Sequence, residues 1–450
     1  MTSGADRIRV LYSFPHKLGG ARLSDGAWHQ VNALAAAGAE VLAFPGVLNR
    51  PVADGVKVRQ TLAKGKLRIP YKVLGKMRAL ALHDHIVARR LKKLVGKIDV
   101  IHTYAAGSLE TLRMARKLGI PTVLERTNAH TRFAFEVVGK EFKRLGVTLP
   151  PSDEYYHQAD LLAKEEAEYQ AADYLLCPSD FVVKTFTDRG FPREKLLRFI
   201  NGLDEKIFYP SPEPPEPGRE FTMLFGGVCA VRKGVHFALE AWLNSPASRH
   251  GKFVIAGDVL PGYVEKLSAG LSHPSVSVLG RVEDVPGLMR RSDVLVLPSI
   301  EEGFGRVITE AMASGCVPLA SDACTDFCRH METGLRHRVG DVQTLSQHIT
   351  MLYENRALLA QLRSGGLAIV PEMTWGAGGV GLLKAYQQAI AEFRNKTDRN
   401  GESSKRGAAT PADRHFDASS AHAGRQIGPV GGPCARLQSA FPASQHTRGS

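Results

Sequence analysis

The sequence predicts an α/β chain of two doubly wound domains, and three observations carry that prediction. At 450 residues it is longer than one ordinary core supports. Short apolar runs alternate with amphipathic stretches of helical spacing along both halves, as βα repeats with parallel sheets require. The Pro-rich segment 211–218, SPEPPEPG, can be neither helix nor central strand and separates the two arrays. The expected divisions are residues 1–205, residues 206–375, a last helix over 376–395, and a tail over 396–450. The tail is rich in Ser, Ala, Gly, His and Arg and is read as disordered.

In the first domain, IRVLYSF (8–14) reads as the opening strand, closed by Pro15 and a loop holding Gly19 and Gly20. Ser24 or Asp25 can cap a helix whose apolar positions Trp28, Val31, Leu34 and Ala35 recur at helical spacing. Residues 40–44 form the next strand, and the dinucleotide fingerprint is incomplete, so a Rossmann cofactor is a weak reading. After a basic helix over 71–95 come a strand at 99–104, a helix at 107–118 and a strand at 121–126 that runs into Thr127, Asn128, Ala129 and His130. Polar residues just past a parallel strand face the cleft, which makes His130 a candidate; a capping or core histidine is the alternative. A helix at 160–171, a strand at 173–179, a helix to Gly190 and a strand at 195–200 complete this half.

The net charge of +13 is concentrated between Lys57 and Lys97, where thirteen Lys or Arg residues stand against one acid, Asp84. Apolar residues Val73, Met77, Leu80, Val87, Leu91 and Leu94 share one helical face there. Residues 57–97 therefore suit either an anionic membrane surface or a solvated face on a packed helix. Nucleic acid is disfavoured, since Tyr71 is the one aromatic of the helix and stacking platforms need several. His83 and His85, on either side of Asp84, lack metal-pair spacing and read as surface residues. No apolar run is long enough to span a bilayer, and MTSGADRIRV has no signal-peptide core. A cytoplasmic protein, or one peripheral on the inner face of the cytoplasmic membrane, is expected. Six irregularly spaced cysteines fit reduced thiols.

The second domain restarts with the strand FTMLFGGV (221–228), which contains Gly227, followed by Arg232, Lys233 and a helix through Trp242. Two cations past a strand and before a helix form an anion site. Strands at 252–258 and 276–280 follow, the second turning at Gly280, Arg281 and Val282. Residues 294–322, VLVLPSIEEGFGRVITEAMASGCVPLASD, read as strand, Gly-rich acidic loop, helix and strand. Gly303 and Gly305 allow close approach of a ligand, and the unpaired amides of the first helical turn favour an anion. Glu302 and Glu310, seven residues between them, can face one cleft and accept from paired hydroxyls. Phosphate at the helix end and carboxylates for hydroxyls together describe a nucleotide sugar. Acids that merely cap a buried helix are the alternative.

At PS, EEGFG, the second Glu, EAMASG and the Pro that follows, this stretch resembles the donor site of the retaining glycosyltransferases of family 4. The order ADYLLCPSDFVVKTF, a Gly-Phe-Pro turn and KIFYP is similar to the same family, whereas Asn201-Gly202 replaces its usual Pro-Gly. The resemblance implies the GT-B fold, two Rossmann-like βαβ domains facing a central cleft, with the last helix crossing back to the first domain. It implies that Arg232 and Lys233 hold the donor diphosphate, that Glu302 contacts the transferred sugar, and that Glu310 binds the ribose. It further implies donor contacts from Gly19, Gly20, Gly227, Gly303, Phe304 and Gly305, main-chain reading of the base at Arg281 and Val282, and catalytic roles for Glu302, Arg232, Lys233 and His130. The donor would be a UDP- or GDP-sugar, with no further cofactor, and the acceptor a glycan or lipid-linked glycan of cell-surface polysaccharide synthesis.

Two fixed cations and a helix end would stabilise the leaving diphosphate without a metal. Cys324, Cys328 and His330 supply three clustered ligands with no partner set elsewhere, too few for a zinc site. No Asp-x-Asp pair, HExxH, complete P-loop or nucleophile elbow occurs. The rival readings are another GT-B enzyme, an epimerase or phosphorylase, and a non-enzymatic adaptor on a membrane surface.

Overall fold

The computed structural model describes residues 7–407 apart from 66, 70–73, 214, 215 and 217. Its first half carries β1 (Arg9–Leu18), α1 (Leu23–Ala36), β2 (Glu40–Leu48), β3 (Lys57–Val58), a hairpin of β4 (Ala63–Lys64) and β5 (Leu67–Arg68), and α2 (Lys76–Leu91). Then come β6 (Val100–Tyr104), α3 (Leu109–Leu118), β7 (Thr122–Glu125), α4 (Thr131–Leu145), α5 (Ala159–Ala171), β8 (Tyr174–Cys177), α6 (Asp180–Thr187) and β9 (Leu196–Arg198). Among the described residues these strands form a seven-stranded sheet in the order β3-β2-β1-β6-β7-β8-β9, every pair parallel.

The second half runs β10 (Thr222–Gly226), α7 (Val235–Leu243), α8 (Ala247–His250), β11 (Lys252–Ala256), α9 (Val264–Leu271), β12 (Val276–Gly280) and α10 (Val285–Arg290). It continues with β13 (Val294–Leu297), α11 (Arg306–Ala313), β14 (Val317–Ser321), β15 (Leu335–His337), α12 (Val342–Glu354), α13 (Arg356–Ala368) and α14 (Trp375–Gly407). The six described strands order as β12-β11-β10-β13-β14-β15, again all parallel. Each sheet reverses its winding once, between β1 and β6 and between β10 and β13, and the carboxyl ends of those strands are where an open α/β sheet leaves a crevice.

Buried strands explain the apolar runs: all four residues of β13 and all five of β14 are buried. α14 sets Leu382, Tyr386 and Ala389 into the first domain's core beside Val10, Tyr12 and Val100. The chain passes from 200–203 beneath its start so closely that a Cβ on Gly202 would lie 2.4 Å from the backbone of Trp375, which is why glycine stands in the Asn201-Gly202 pair. Within α14, Gly379 serves close packing as well, since a Cβ there would lie 2.6 Å from Ala33 O.

Several expectations are corrected. β1 does not stop at Pro15; the missing N–H there produces a register shift, and pairing with β2 resumes at Lys17. α1 is entered through Arg22 at φ 56° without a side-chain cap, so neither Ser24 nor Asp25 caps it. His83 is fully buried, its ring between Ser13 Oγ at 2.9 Å and Thr61 Oγ1 at 2.7 Å, and burial pushes its pKa down to about 3. His85 is exposed beside Glu110. Residues 396–407, assigned to a disordered tail, continue α14, while 408–450 lie outside the described residues. Tyr71, Lys72 and Val73 of the basic helix also lie outside them, as do 214, 215 and 217 of the Pro-rich segment. α4 was not expected at all, although Ala134, Val138, Phe142 and Leu145 recur at helical spacing and all pack in the second domain's core.

Candidate active site

A cavity of about 830 Å³ occupies the cleft between the domains. The second domain lines it with residues past the carboxyl ends of its two switch-point strands: Gly226 and Gly227 from β10, and Glu302, Phe304 and Gly305 past β13. Arg232 and Lys233 lie on a 3₁₀ turn that is pinned to the β13 end, where Ile300 N–H donates to Arg232 O at 2.8 Å. Gly305 precedes α11 in the left-handed conformation, φ 72°, and Arg306, Val307 and Glu310 bring the first turns of α11 to the cavity. Ile308 N–H donates to Gly305 O at 2.8 Å, and the Arg306 and Val307 amides, which precede any i−4 partner within the helix, offer N–H donors beside two cations.

Glu302 ties that wall together. Its carboxylate takes bonds from Lys233 Nζ and from Arg232 Nη1 at 3.3 Å, with Ser299 Oγ at 3.4 Å. Burial pushes this carboxyl up, but Lys233 and Arg232 outweigh it and hold the pKa at about 2, so Glu302 is ionised at neutral pH. Burial raises Glu310, an effect that Arg306, 3.4 Å away, only partly offsets. Arg306 also reaches Asp25 of α1 at 3.4 Å, across the cleft.

The first domain and α4 supply the opposite wall. Gln30 Oε1 accepts from Tyr12 OH at 2.7 Å and Tyr104 OH at 3.1 Å, which orients its amide. Glu125 closes β7, 3.2 Å from His102 Nε2, and His102 Nδ1 is 2.6 Å from Tyr386 OH on α14. Both Gln30 and Glu125 line the cavity, so its first-domain wall carries an amide and a carboxyl group. Val138 and Phe142 of α4 and Tyr155 after it complete the enclosure.

The structure therefore gathers Gly227, Arg232, Lys233, Glu302, Phe304, Gly305 and Glu310 around one cavity. His130 is not among its lining; it caps α4, accepting from Arg132 N–H at 3.2 Å, and packs among Tyr169, Phe186 and Phe191. Burial and the charge of Arg189 drive its pKa down to about 3, so the capping alternative describes it. Gly303 faces the first domain, where a Cβ would lie 1.6 Å from Thr127 O, and its carbonyl accepts from Ser179 Oγ at 2.6 Å. Its missing side chain serves contact between domains rather than approach to a phosphate. Gly19 packs in a turn against Trp28 and Arg50, and Gly20 against Ser24, leaving Arg22 and Leu23 to reach the cavity. Arg281 and Val282 follow the edge strand β12 and are not among the cavity's lining. Cys324 and Cys328 are buried against the carbonyls of Leu297 and Pro318.

Sequence reasoning missed Glu301, Gln30, Glu125 and Tyr155. Glu301 is fully buried and accepts from Ala129 N–H and Tyr155 OH, both at 2.9 Å, on segments of the first half. The available signal was the Glu doublet itself: two adjacent acids past a buried strand cannot serve one purpose if they point apart.

Two family models match the chain, one described as Glycosyltransferase Family 4 over residues 26–206 and one as Glycosyl transferases group 1 over 220–355. A lipopolysaccharide core biosynthesis mannosyltransferase of Rhizobium leguminosarum is 34% identical over 177 residues, 35% of this chain and 49% of that protein. The chain spans about half the length of the curated relatives it matches, between 42% and 60% for the first three. Among solved structures, sucrose-phosphate synthase from Thermosynechococcus elongatus superposes with a TM-score of 0.61 at 20% identity, covering 86% of this chain and 100% of its own. HepE of Anabaena, solved in complex with UDP, gives 0.56 at 18% identity, covering 86% and 100%. At these identities the structures speak for the fold, which is GT-B. With its first half matched by the Glycosyltransferase Family 4 model, its second by the group 1 model, and the two-sheet fold in agreement, the chain belongs to glycosyltransferase family 4.

Proposed function

We propose that this protein moves a hexosyl unit from a UDP- or GDP-sugar to a glycan or lipid-linked acceptor, with retention of configuration, in cell-surface polysaccharide synthesis. The observation that carries the reading is the grouping of Arg232, Lys233, Glu302 and the α11 N-terminus on one cavity wall. When the bond from the anomeric carbon to the diphosphate breaks, its electron pair leaves on phosphate. Two cations and unpaired amides stabilise that growing charge more than the bound donor, which lowers the barrier and makes a divalent metal unnecessary. No cofactor beyond the donor is invoked.

Glu302 already neutralises Lys233 and Arg232, so an arriving diphosphate displaces it, and the freed carboxylate can accept from hydroxyls of the transferred sugar. Glu310 takes the ribose, and Gln30 and Glu125 face the acceptor. The exposed cations of α2 and its C-terminal extension, Arg89, Arg90, Lys92 and Lys93, with Met77 40% exposed, suit attachment to an anionic membrane on the inner face. Among the described residues no helix is long and apolar enough to cross a membrane.

A thermal-shift screen of UDP-, GDP- and ADP-sugars tests the donor reading. A ligand at about 100 times its Kd adds roughly 2.7 kcal/mol of stability, and silence from every nucleotide sugar contradicts it. Release of free nucleotide with a defined acceptor separates transfer from epimerisation.

A further inference from the structure

We propose that Glu301 is a positioning residue that frees Arg232 for phosphate only when the two domains are closed, an inference that rests on the donor site proposed above. Its side chain sits where three parts of the molecule meet. Oε1 accepts from Ala129 N–H and Oε2 from Tyr155 OH, each at 2.9 Å, and Oε2 is 3.6 Å from Arg232 Nη1. The same Nη1 donates to the Glu301 carbonyl at 2.8 Å, and the Tyr155 ring lies 5.2 Å from the guanidinium carbon. Asn128 Nδ2 donates to Tyr155 OH at 3.1 Å, so the 128–129 backbone and Tyr155 form one surface. Ala129 and Asn128 follow β7 of the first sheet, whereas Glu301 and Arg232 follow β13 and β10 of the second.

A fully buried carboxylate must keep its acceptor capacity filled. Separation of the domains removes Ala129, while Tyr155, packed with α4 in the second domain's core, stays as the one neutral donor left to Glu301. The cation within reach is Arg232, already 3.6 Å from Oε2, so a Glu301 with fewer neutral donors closes onto it in a direct charge-assisted bond and competes with phosphate. Closure gives Glu301 two neutral donors and holds its Oε2 at 3.6 Å from Arg232 Nη1, short of a direct hydrogen bond, so that Glu302 at 3.3 Å is the carboxylate a diphosphate has to displace. The latch thereby couples the position of the first domain to the charge presented in the second.

The full-length protein, with UDP and GDP as probes, tests this through Tyr155→Phe, Glu301→Gln and their combination. Calorimetric titration reads affinity, and hydrogen exchange of the segment holding Ala129 reads closure. Tyr155→Phe keeps the ring but leaves Glu301 on Arg232, and we expect affinity to fall about tenfold, with faster exchange at Ala129. Glu301→Gln cannot form the competing ion pair, so affinity is kept or rises even though the protection that nucleotide confers on Ala129 is lost. In the double variant the loss caused by Tyr155→Phe is reversed. A loss of affinity in Tyr155→Phe with none in Glu301→Gln is what a purely structural role would not produce. Equal losses in both, or affinity unchanged in Tyr155→Phe, overturn the proposal. Lys233→Met, which leaves Glu301 untouched, reports separately on the donor site: if it too binds as the wild type, the donor reading falls and the latch with it.

Discussion

Replacing Lys233 with Met keeps most of the side-chain length and removes the charge that Glu302 depends on. Lys233 is the foremost of the groups that pull Glu302 down from 4.5 to about 2 against burial, and Arg232 comes next. A carboxyl with a depressed folded pKa stabilises the fold above its unfolded pKa, and that contribution is lost as pH falls through the folded value. For Glu302 the contribution is complete above about pH 5 and gone near pH 2, and the difference of about 2.5 pH units corresponds to roughly 3 kcal/mol. Arg232 at 3.3 Å retains part of it, so Lys233→Met costs about 1–2 kcal/mol at pH 7. Urea unfolding of both proteins between pH 7 and pH 2.5 should show that gap narrowing as the solution becomes acid. The same variant, titrated with UDP or GDP, loses a charge-assisted bond to phosphate of about 1.5–3 kcal/mol, roughly 10- to 100-fold in Kd. A stability gap independent of pH, together with unchanged diphosphate binding, would refute the reasoning.

Further outcomes follow from the same geometry. Gly303→Ala places a methyl 1.6 Å from the Thr127 carbonyl and must push the domains apart; small-angle scattering should show a larger radius of gyration, with weaker nucleotide binding. His130→Ala removes the α4 cap and a buried ring, lowering stability by about 1–3 kcal/mol in thermal unfolding while Kd for nucleotide stays unchanged. Glu302→Gln frees Lys233 and Arg232, so free UDP or GDP binds at least as tightly as to the wild type, while transfer falls when measured as nucleotide release. Reversing Arg89, Arg90, Lys92 and Lys93 to Glu abolishes binding to vesicles containing phosphatidylserine and leaves nucleotide affinity intact, since each basic residue near an anionic surface contributes about 1 kcal/mol.

The elements that position the cleft were legible because their chemistry is local. Val294–Leu297, bounded by Pro298, could only be a buried strand, and Arg306–Ala313 carried its apolar face at helical spacing. Arg232 and Lys233 were legible once read together with Glu302, since isolated cations past a strand carry no such meaning. Contacts between the domains were not legible. Glu301 looks like Glu302 in the sequence, and only the arrival of Ala129 from the other domain and of Tyr155 from the segment after α4 separates their roles. Gly303 reads as a ligand-approach glycine until the Thr127 backbone is seen against it. His130 failed for the converse reason: polar residues past β7 suggest a cleft, yet α4 begins there, and its first turn takes the imidazole as a cap. The helix itself was overlooked although its apolar spacing was present, because its apolar face is completed by the core of the other domain.

The most direct test of the central claim is a crystal structure of this protein with UDP or GDP. The diphosphate is expected at Arg232, Lys233 and the first-turn amides of α11, the ribose at Glu310, and Glu302 turned away from the two cations. A nucleotide bound outside this cleft, or bound within it while Glu302 still pairs with Lys233 and Arg232, would contradict it.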